Sequence, residues 1–502
     1  MKHTHPLLLA SPLVALTLVT AGAGAQQHAR TPGDPGVRDT GAFDARRPVE
    51  QELRTNVPDG FTFGAAGDLI ISRPLSQYAA SIPEFRGVLD VIKSMNVMYG
   101  NMETAIFDVR TFTGSPFSWD GDWTNAAVPG VARDLRAMGF SIVSRANNHA
   151  LDWGIEGMRE TSRWLDDAGI VHAGVGENRG LARAPRYLET PSGRIALVSL
   201  ASTFRPTTDA LPAQGATPGR AGLSALHLTM TIALPDAAMK SVASLSCTLY
   251  GKNCRAEPET LSLFDKKFRR AASFEYEYAM DPEDLQEIYQ SIRAARQNAD
   301  FVIVSIHSHE CATGCDDDDA PRGAARFLKE LSHGAIDAGA DVFVATGNHN
   351  LGPMEIYKSP ARGYRPIFYG LGNFFWSDVQ ELLSHDLFQN NRPLLERAWF
   401  EPGKATEYDL TAPLNKLSFA HAFTFESVIA ECRFEHNQLA EVVLHPIQEG
   451  YGSRLLTSGI PRLVPAGPGA AAIIQQMVQQ TARLGLPKLN VTFVNEAAVV
   501  RP

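Results

Sequence analysis

The nine residues from Ala146 to Gly154, with the sequence ANNHALDWG, decide the predicted fold of this chain. They connect a predicted strand, Phe140–Arg145, to a predicted helix, Gly154–Ala168, so this polar segment follows the carboxyl end of the strand. Polar groups at the carboxyl ends of neighbouring strands converge on one crevice in an α/β sheet. A segment with two amides, an imidazole and a carboxylate in this position therefore predicts a binding site.

Five other short segments repeat this arrangement at the end of a β-type run. They are Gly67-Asp68, Asn101-Met102-Glu103, His307-Ser308-His309-Glu310, Asn348-His349-Asn350 and Gly372-Asn373-Phe374. Carboxylate, carboxamide and imidazole groups are ligands that suit Mn, Fe, Zn or Mg. Because these segments are far apart along the chain, only folding brings them together.

Predicted strands alternate with predicted helices over most of the chain. The strands are Phe61–Gly67, Val97–Asn101, Phe140–Arg145, Ile170–Val175, Asp300–His307 and Asp341–Ala345. The helices between them are Val128–Met138, Gly154–Ala168, Pro282–Gln297 and Arg322–Ala338. Such alternation is typical of a layered α/β domain with largely buried strands.

Two regions depart from this alternation. Residues 205–280 lack a clear strand rhythm, and we expect a helical insertion there. Segments Phe423–Phe434 and Leu439–Pro446 predict a β-hairpin, which completes a main domain of residues 58–446. Residues 447–502 form a C-terminal extension, with one helix predicted at about Gly467–Leu484.

The N-terminus has the pattern of a signal peptide at residues 1–25. Lys2 precedes an apolar run from Leu7 to about Ala21, and Ala23-Gly24-Ala25 matches a small-x-small cleavage site. We therefore expect an exported protein, periplasmic or secreted; the alternative is an uncleaved membrane anchor. Residues 26–57 are rich in Pro, Gly, Arg and Asp and predict a flexible leader.

The net charge of −9 argues against nucleic acid as a partner, because nucleic-acid binding requires a basic face. It does not exclude an anionic substrate, since a bound metal can supply local positive charge. The five cysteines fit export, with predicted disulfides Cys247–Cys254 and Cys311–Cys315 and a free Cys432. Zinc binding by Cys311 and Cys315 beside His307 and His309 is an alternative.

Two groups of motifs carry a family resemblance. The first is ANNHALDWG with the helix that follows it; the second is a set of three segments, Ala338-Gly339-Ala340-Asp341, Met354-Glu355-Ile356-Tyr357 and Ile367–Phe374. Together they resemble the CapA family of capsule or poly-γ-glutamate biosynthesis proteins, which is similar to the calcineurin-like metallophosphatases. The resemblance runs from about Phe61 to Trp376, weakens across 205–280 and resumes at the hairpin. It implies a four-layer αββα sandwich of metallophosphatase type, with the site on loops at one edge.

In metallophosphatases, two divalent cations share a bridging carboxylate and act on a phosphoryl centre. The resemblance implies that Asp68 is a metal ligand, that Glu103 is the bridging carboxylate and that Asn148 is the amide ligand. It implies that His307 and His349 are histidine ligands. Catalytic roles then fall on His149, which protonates a leaving oxygen, together with Asp68 and Asn148.

This sequence departs from the family pattern at two ligand positions. Ile70 and Thr346 stand where the family has histidines. His309 is a candidate substitute, because alternate strand positions face the same side. The cofactor expected is one or two divalent ions of Mn, Fe or Zn.

Each assignment has a structural alternative. For Asp68, the alternative is that it caps a helix. For Asn148 and His149, the alternative is that they order a turn, and for His349 it is a purely structural role. Glu355 and Asn373 are expected to support the site or the fold rather than bind metal, and Glu310 to orient an imidazole.

Three functions remain open at this point. The first is an exported protein of capsule or anionic-polymer synthesis that acts on the polymer or its precursor, with membrane-associated synthesis machinery as a partner. The second is a general metal-dependent phosphoesterase. The third is a non-catalytic scaffold that binds polymer.

Overall fold

Two β-sheets that face each other form the centre of the fold in the computed structural model. The structure describes residues 56–116, 124–255, 257–312, 323–376, 385–397, 399–401, 403–418, 421–494 and 497–502. The strands of this part, in chain order, are β1 (Phe61–Ile70), β2 (Val97–Met102), β3 (Ala105–Ile106), β4 (Ala126–Ala127), β5 (Ile142–Ser144), β6 (Val171–Ala173), β7 (Val175–Gly176), β8 (Arg186–Thr190), β9 (Gly193–Ala201), β10 (Gly222–Leu223), β11 (Leu228–Leu234), β12 (Thr260–Leu263), β13 (Lys266–Arg270), β14 (Glu275–Met280), β15 (Phe301–His307), β16 (Val342–Thr346), β17 (Met354–Ser359), β18 (Gly363–Phe368), β19 (Asn373–Trp376), β20 (Glu426–Glu435), β21 (Gln438–Gln448), β22 (Arg462–Leu463), β23 (Val491–Val494) and β24 (Ala497–Val500). The α-helices are α1 (Pro83–Ser94), α2 (Gly130–Met138), α3 (Gly154–Asp167), α4 (Arg179–Arg183), α5 (Asp236–Tyr250), α6 (Pro282–Asn298), α7 (Phe327–Ala338), α8 (His385–Asn390), α9 (Arg392–Arg397), α10 (Glu407–Ser418) and α11 (Pro468–Arg483).

The larger sheet has the strand order β23-β24-β21-β20-β1-β2-β5-β6, and β19 and β22 pair with β1 and β21. The smaller sheet has the order β17-β18-β16-β15-β9-β8. Strands β1, β2, β5 and β6 run parallel to one another, as do β9, β15, β16 and β18. The parallel strands of each sheet therefore end at a common edge.

The main hydrophobic core lies between the two sheets. Phe61 and Phe63 of β1 pack on Phe301 of β15, with ring centroids 5.1 and 5.6 Å apart. Side chains alternate across each strand, so Tyr99 of β2 faces this core while its neighbour Met98 faces outward. The inner faces of both sheets are thus filled by apolar side chains.

Helices cover the outer faces of both sheets. Helices α1 and α2 pack on the larger sheet in the cluster that contains Phe85 and Leu135. Helices α6 and α7 pack on the smaller sheet in the cluster that contains Ile292 and Leu331. This is the predicted four-layer αββα sandwich, and the fold prediction is confirmed.

The expected helical insertion at residues 205–280 is wrong in its secondary structure. This region holds one long helix, α5, and a separate four-stranded sheet of order β12-β13-β11-β14. A small core of Met239, Ala243, Leu261 and Leu263 joins the helix to the sheet. Because so few side chains are buried, the alternation of apolar and polar residues that indicates strands is weak in the sequence.

The predicted hairpin is present as β20 and β21, and β20 pairs antiparallel with β1 in the larger sheet. The late helix is confirmed as α11, and the larger sheet gains β22 before this helix and β23 and β24 after it. Helix α7 begins later than predicted, at Phe327, because Ala324 pairs with Cys311 in a β-bridge.

Two cysteine predictions are confirmed. Cys247 and Cys254 form a disulfide, and Cys432 is free and buried. Cys311 is also disulfide-bonded, which removes it as a thiolate ligand for zinc; its expected partner, Cys315, lies outside the described residues.

The predicted signal peptide and most of the leader also lie outside the described residues. In the part of the chain that is described, no helix is long and apolar enough to cross a membrane.

Candidate metal centre

Asp68 lies in β1 at the point where this strand meets the neighbouring strands β2 and β19. A side chain on Gly67 would collide with the carbonyl oxygen of Gly372, so this close approach of two backbones requires glycine. Asn101 Nδ2 donates to Asp68 Oδ1 at 2.8 Å, and the backbone N of Gly347 donates to Oδ2 at 3.2 Å. These contacts fix the orientation of a fully buried carboxylate.

Burial opposes ionisation of Asp68, yet its pKa lies below the ordinary value. The hydrogen bond to His349, the nearby His307 ring and the amide of Asn101 outweigh desolvation. Asp68 is therefore ionised at neutral pH and available as an anionic ligand.

Glu103 follows β2 and is fully buried between the two sheets' polar ends. Its Oε1 lies 3.4 Å from His307 Nε2 and 3.9 Å from His149 Nε2. The same carboxylate oxygen therefore lies near a candidate ligand, His307, and near the candidate proton donor, His149.

Two groups of potential ligand atoms meet at Glu103. One consists of Asp68, Glu103 and His349, and the other of Glu103, His307 and His309. Within each group the ligand atoms lie within 4.8 Å of one another. The geometry thus provides two adjacent cation positions that share a single carboxylate.

His307 is the last residue of β15 and is fully buried. Desolvation is the largest influence on its ring and lowers its pKa to about 3, although the charge of Asp68 acts in the opposite direction. The imidazole is therefore neutral at neutral pH, which is the form that binds metal. Thr346 Oγ1 lies 3.2 Å from His307 Nδ1, so the residue that replaces a family histidine contacts a ligand ring instead.

His309 belongs to the second group, as predicted, although the alternate strand position assumed for it is wrong. Strand β15 ends at His307, so His309 does not occupy an alternate strand position. Its backbone N donates to Thr203 Oγ1 at 2.8 Å, and its ring Nε2 lies 2.9 Å from His307 Nε2.

His349 has a backbone φ of 54°, in the left-handed region that is uncommon for a residue other than glycine. Strain of this kind is concentrated at functional sites. Asn373 Nδ2 donates to the carbonyls of His349 and Thr424, which orients its Oδ1 toward His349 Nδ1 at 2.9 Å. Because Oδ1 can only accept, Nδ1 carries the proton and Nε2 keeps the lone pair.

His149 and Asp152 form a hydrogen-bonded pair, with Nδ1 and Oδ2 2.7 Å apart. The backbone N of Asn125 also donates to Asp152 Oδ2, and Arg205 Nη2 lies 3.6 Å from Oδ1. The carboxylate accepts the Nδ1 proton and leaves Nε2 directed toward Glu103. This arrangement suits proton transfer at Nε2.

Asn148 is adjacent to this pair in the chain. Its Oδ1 is buried and has no hydrogen-bond partner among the described residues. A buried amide oxygen without a partner costs free energy, and a cation that it binds removes this cost. The donor set as a whole, with carboxylate, amide and imidazole groups, fits a divalent metal.

Glu310 differs from its predicted role and Asp152 had no predicted role, whereas Glu355 supports the fold, as predicted. Glu355 bonds to His333 and Tyr369 on the outer side of the smaller sheet and is not part of the centre. Glu310 accepts from the hydroxyls of Ser202 and Ser308 rather than from an imidazole. Asp152 was not predicted as a site residue, although its position three residues after His149 could have indicated the hydrogen-bonded pair.

The structure is thus a four-layer αββα sandwich with a candidate centre for divalent cations. The chain belongs to the family described as bacterial capsule synthesis protein PGA_cap, whose family model matches residues 62–377.

Individual relatives extend this comparison. The uncharacterized protein y4sH of Sinorhizobium fredii (strain NBRC 101917 / NGR234) is 37% identical over 475 residues, which cover 92% of this chain and 98% of that protein. The capsule biosynthesis protein CapA of Bacillus anthracis is 22% identical over 366 residues, 71% of each chain. A solved structure of a hypothetical protein from Thermus thermophilus aligns with a TM-score of 0.36 and 11% identity, covering 77% of this chain and 99% of that one.

Proposed function

We propose that this protein is an exported, metal-dependent hydrolase of capsule or poly-γ-glutamate-type polymer synthesis, which cleaves a phosphoester of a lipid-linked or otherwise phosphorylated precursor of the anionic polymer. One observation carries the proposal: two groups of ligands share the buried Glu103. A pair of bound Mn, Fe or Zn ions would supply positive charge to the attacking and leaving oxygens of a phosphoryl group.

The side chains around the cations have separate tasks. Asp68, Glu103, His307, His309 and His349 would hold the cations, and Asn148 would supply a neutral oxygen. His149 donates a proton to the leaving oxygen through Nε2, while Asp152 holds the ring in the tautomer that this transfer requires.

The substrate class follows from charge and from the relatives. The chain has a net charge of −9, so the cations are needed to attract an anionic substrate to this buried centre. The relative from Bacillus anthracis is named for capsule biosynthesis. CapA of Bacillus subtilis (strain 168), 21% identical over 397 residues, is named for PGA biosynthesis.

A non-catalytic polymer-binding role is the second candidate, and one observation favours it. Ile70 and Thr346 replace two family histidines, so the ligand set is smaller than in the family pattern. In this candidate the cations bind an anionic group of the polymer without turnover.

Metal analysis of the purified protein, together with hydrolysis assays, tests the proposal. We expect up to two divalent ions per chain and metal-dependent hydrolysis of bis(p-nitrophenyl) phosphate that Asp68→Ala abolishes and Glu355→Ala retains. Bound metal without hydrolysis of this ester or of poly-γ-glutamate would favour the scaffold. Absence of bound metal after supplementation with Mn, Fe and Zn would refute both candidates.

Export is tested separately by N-terminal sequencing of the mature protein. We expect Gln26 as the first residue. An intact Met1 in the membrane fraction would instead support the anchored form.

A further inference from the structure

The insertion ends in an exposed apolar patch. Leu249 and Tyr250 at the end of α5 are 50% and 57% exposed, and Phe264 between β12 and β13 is 59% exposed. The rings of Tyr250 and Phe264 lie edge to face, with centroids 6.4 Å apart. We call these three residues, together with Lys252, Lys266 and Lys267, the insertion tip.

Neither burial in a core nor the backbone conformation accounts for a phenylalanine at this turn position. Phe264 forms a two-residue turn with Asp265, because Leu263 pairs with Lys266 across the hairpin. Phe264 and Asp265 have φ values of 51° and 57°, as in a type I′ turn, where Asn and Gly are strongly preferred. A large aromatic residue in this conformation costs strain and gains no burial, which points to a function in recognition.

Three lysines lie next to these apolar residues in the chain, Lys252 two positions after Tyr250 and Lys266 and Lys267 directly after the turn. Lys252, Lys266 and Lys267 are exposed, and none of them forms a salt bridge with another described residue. Of the three acidic residues between them in the chain, Glu257 and Glu259 form salt bridges with Lys240 and Arg270. Asp265 is the remaining carboxylate, and the three ammonium groups outnumber it. A local excess of positive charge stands out in a chain with a net charge of −9.

The tip is held in place by its surroundings. The disulfide between Cys247 and Cys254 ties the end of α5 to the segment that follows it. Met239 and Ala243 of α5 pack on Leu261 and Leu263 of β12, which joins the helix to the hairpin. The apolar and basic groups are therefore presented together without a folding step on binding.

We propose that the insertion tip docks on an anionic lipid membrane. Tyr250, Phe264 and Leu249 enter the interfacial layer, where amphipathic aromatic rings are favoured, and the lysines contact lipid phosphates. A protein partner fits less well, because lysine is depleted at the cores of protein interfaces. This role does not depend on the metal centre, since none of these residues belongs to it.

Cosedimentation of the full chain with vesicles tests the proposal. The probes are vesicles of phosphatidylglycerol with phosphatidylcholine, and vesicles of phosphatidylcholine alone, at about 0.1 M salt. We expect stronger binding to the anionic vesicles, and weaker binding as salt rises and screens the lysines. Lys266→Glu with Lys267→Glu should weaken anionic-vesicle binding by at least about tenfold.

Phe264→Asn separates binding from folding. Asparagine suits the left-handed turn, so the melting temperature should stay the same or rise while vesicle binding falls by at least about fivefold. Phe493→Asn is the matched control, because Phe493 is also exposed, at 50%, and lies in the C-terminal strand β23. Every variant keeps the same N-terminus, so the differences between them report on the tip.

Two outcomes would overturn the proposal. The first is equal vesicle binding by wild type, Phe264→Asn and the double lysine variant. The second is a change in oligomeric state in Phe264→Asn, measured by light scattering, with vesicle binding unchanged, because the tip would then contact protein. Asp68→Ala should bind vesicles normally, so a failure of the proposed metal chemistry would leave this result intact.

Discussion

Asp341 and Asp68 are both buried carboxylates, and their partners differ in kind. Asp341 is 1% exposed and meets Arg296, Arg362 and Arg365 at 2.8, 2.5 and 3.2 Å. Asp68 is also buried, but its partners are imidazoles and amides, and no arginine or lysine in the described part of the chain forms a salt bridge with it.

The difference concerns where the balancing charge comes from. Three guanidinium groups more than balance Asp341 within the chain, so this cluster is complete without a ligand. Around Asp68 and Glu103 the buried His307 is neutral, so the carboxylates keep a negative charge that a cation can balance. The arginine-paired Asp341 thus stabilises the fold, whereas Asp68 and Glu103 offer carboxylate charge to a bound cation.

Removal of the shared carboxylate should have the largest effect. We expect Glu103→Gln to weaken metal binding at both positions by more than about 100-fold, because a direct ligand contributes more than an outer contact. Metal content by mass spectrometry measures this. Glu355→Gln is the control, since that buried carboxylate lies outside both ligand groups. If Glu103→Gln retained its metal, Glu103 would not be a shared ligand, and the distinction between the Asp68 and Asp341 sites would be wrong.

Loss of His149 should reduce turnover and spare the metal. Its Nε2 is directed toward Glu103, but it belongs to neither ligand group. We expect His149→Ala to lower kcat about 10²- to 10⁴-fold with unchanged metal content. A parallel loss of metal and activity would instead make His149 a ligand.

Asp341→Asn and Asp68→Asn should affect stability differently. Breaking the Asp341 cluster leaves buried guanidinium groups without their partner and should cost about 3–5 kcal/mol in the free energy of unfolding. In metal-free protein, Asp68→Asn should cost much less, because its carboxylate is incompletely balanced. Urea denaturation measures both, and equal costs would remove the distinction.

The contribution of Asp341 to the free energy of unfolding should decrease as the pH falls. Burial would raise the pKa of Asp341, but Arg296, Arg362 and Arg365 hold it below the ordinary value. A lowered carboxyl pKa contributes stability above the unfolded pKa of about 4, and this contribution is lost as the pH falls through the folded pKa. The difference between wild type and Asp341→Asn should therefore shrink below about pH 4.

The smallest effect is expected for Asn373→Ala. Asn373 orients the His349 ring, so its loss should weaken metal binding in the Asp68 group about 10- to 100-fold and leave the His307 group occupied. Isothermal titration calorimetry with Zn resolves the two positions. Equal weakening of both would show that Asn373 acts on the fold around the site rather than on one ring.

The αββα layers were predictable because their strands have long buried runs and their helices end at glycines. Phe61–Gly67 and Asp300–His307 matched β1 and β15 closely, since burial on both faces leaves a continuous apolar signal. The insertion was predicted incorrectly because its small core buries few side chains on each strand. Local patterns report burial, and they fail where burial is slight.

The sequence by itself determined the sandwich and the polar segments at its strand ends, because periodicity and motif order depend on residues that are near one another in the chain. Only the tertiary structure decided that His309 turns toward His307, that Asp152 holds His149 and that Asn373 fixes the His349 ring. The last of these contacts depends on distances across separate loops. Such distances are set by the packing of the two sheets, which no local pattern records.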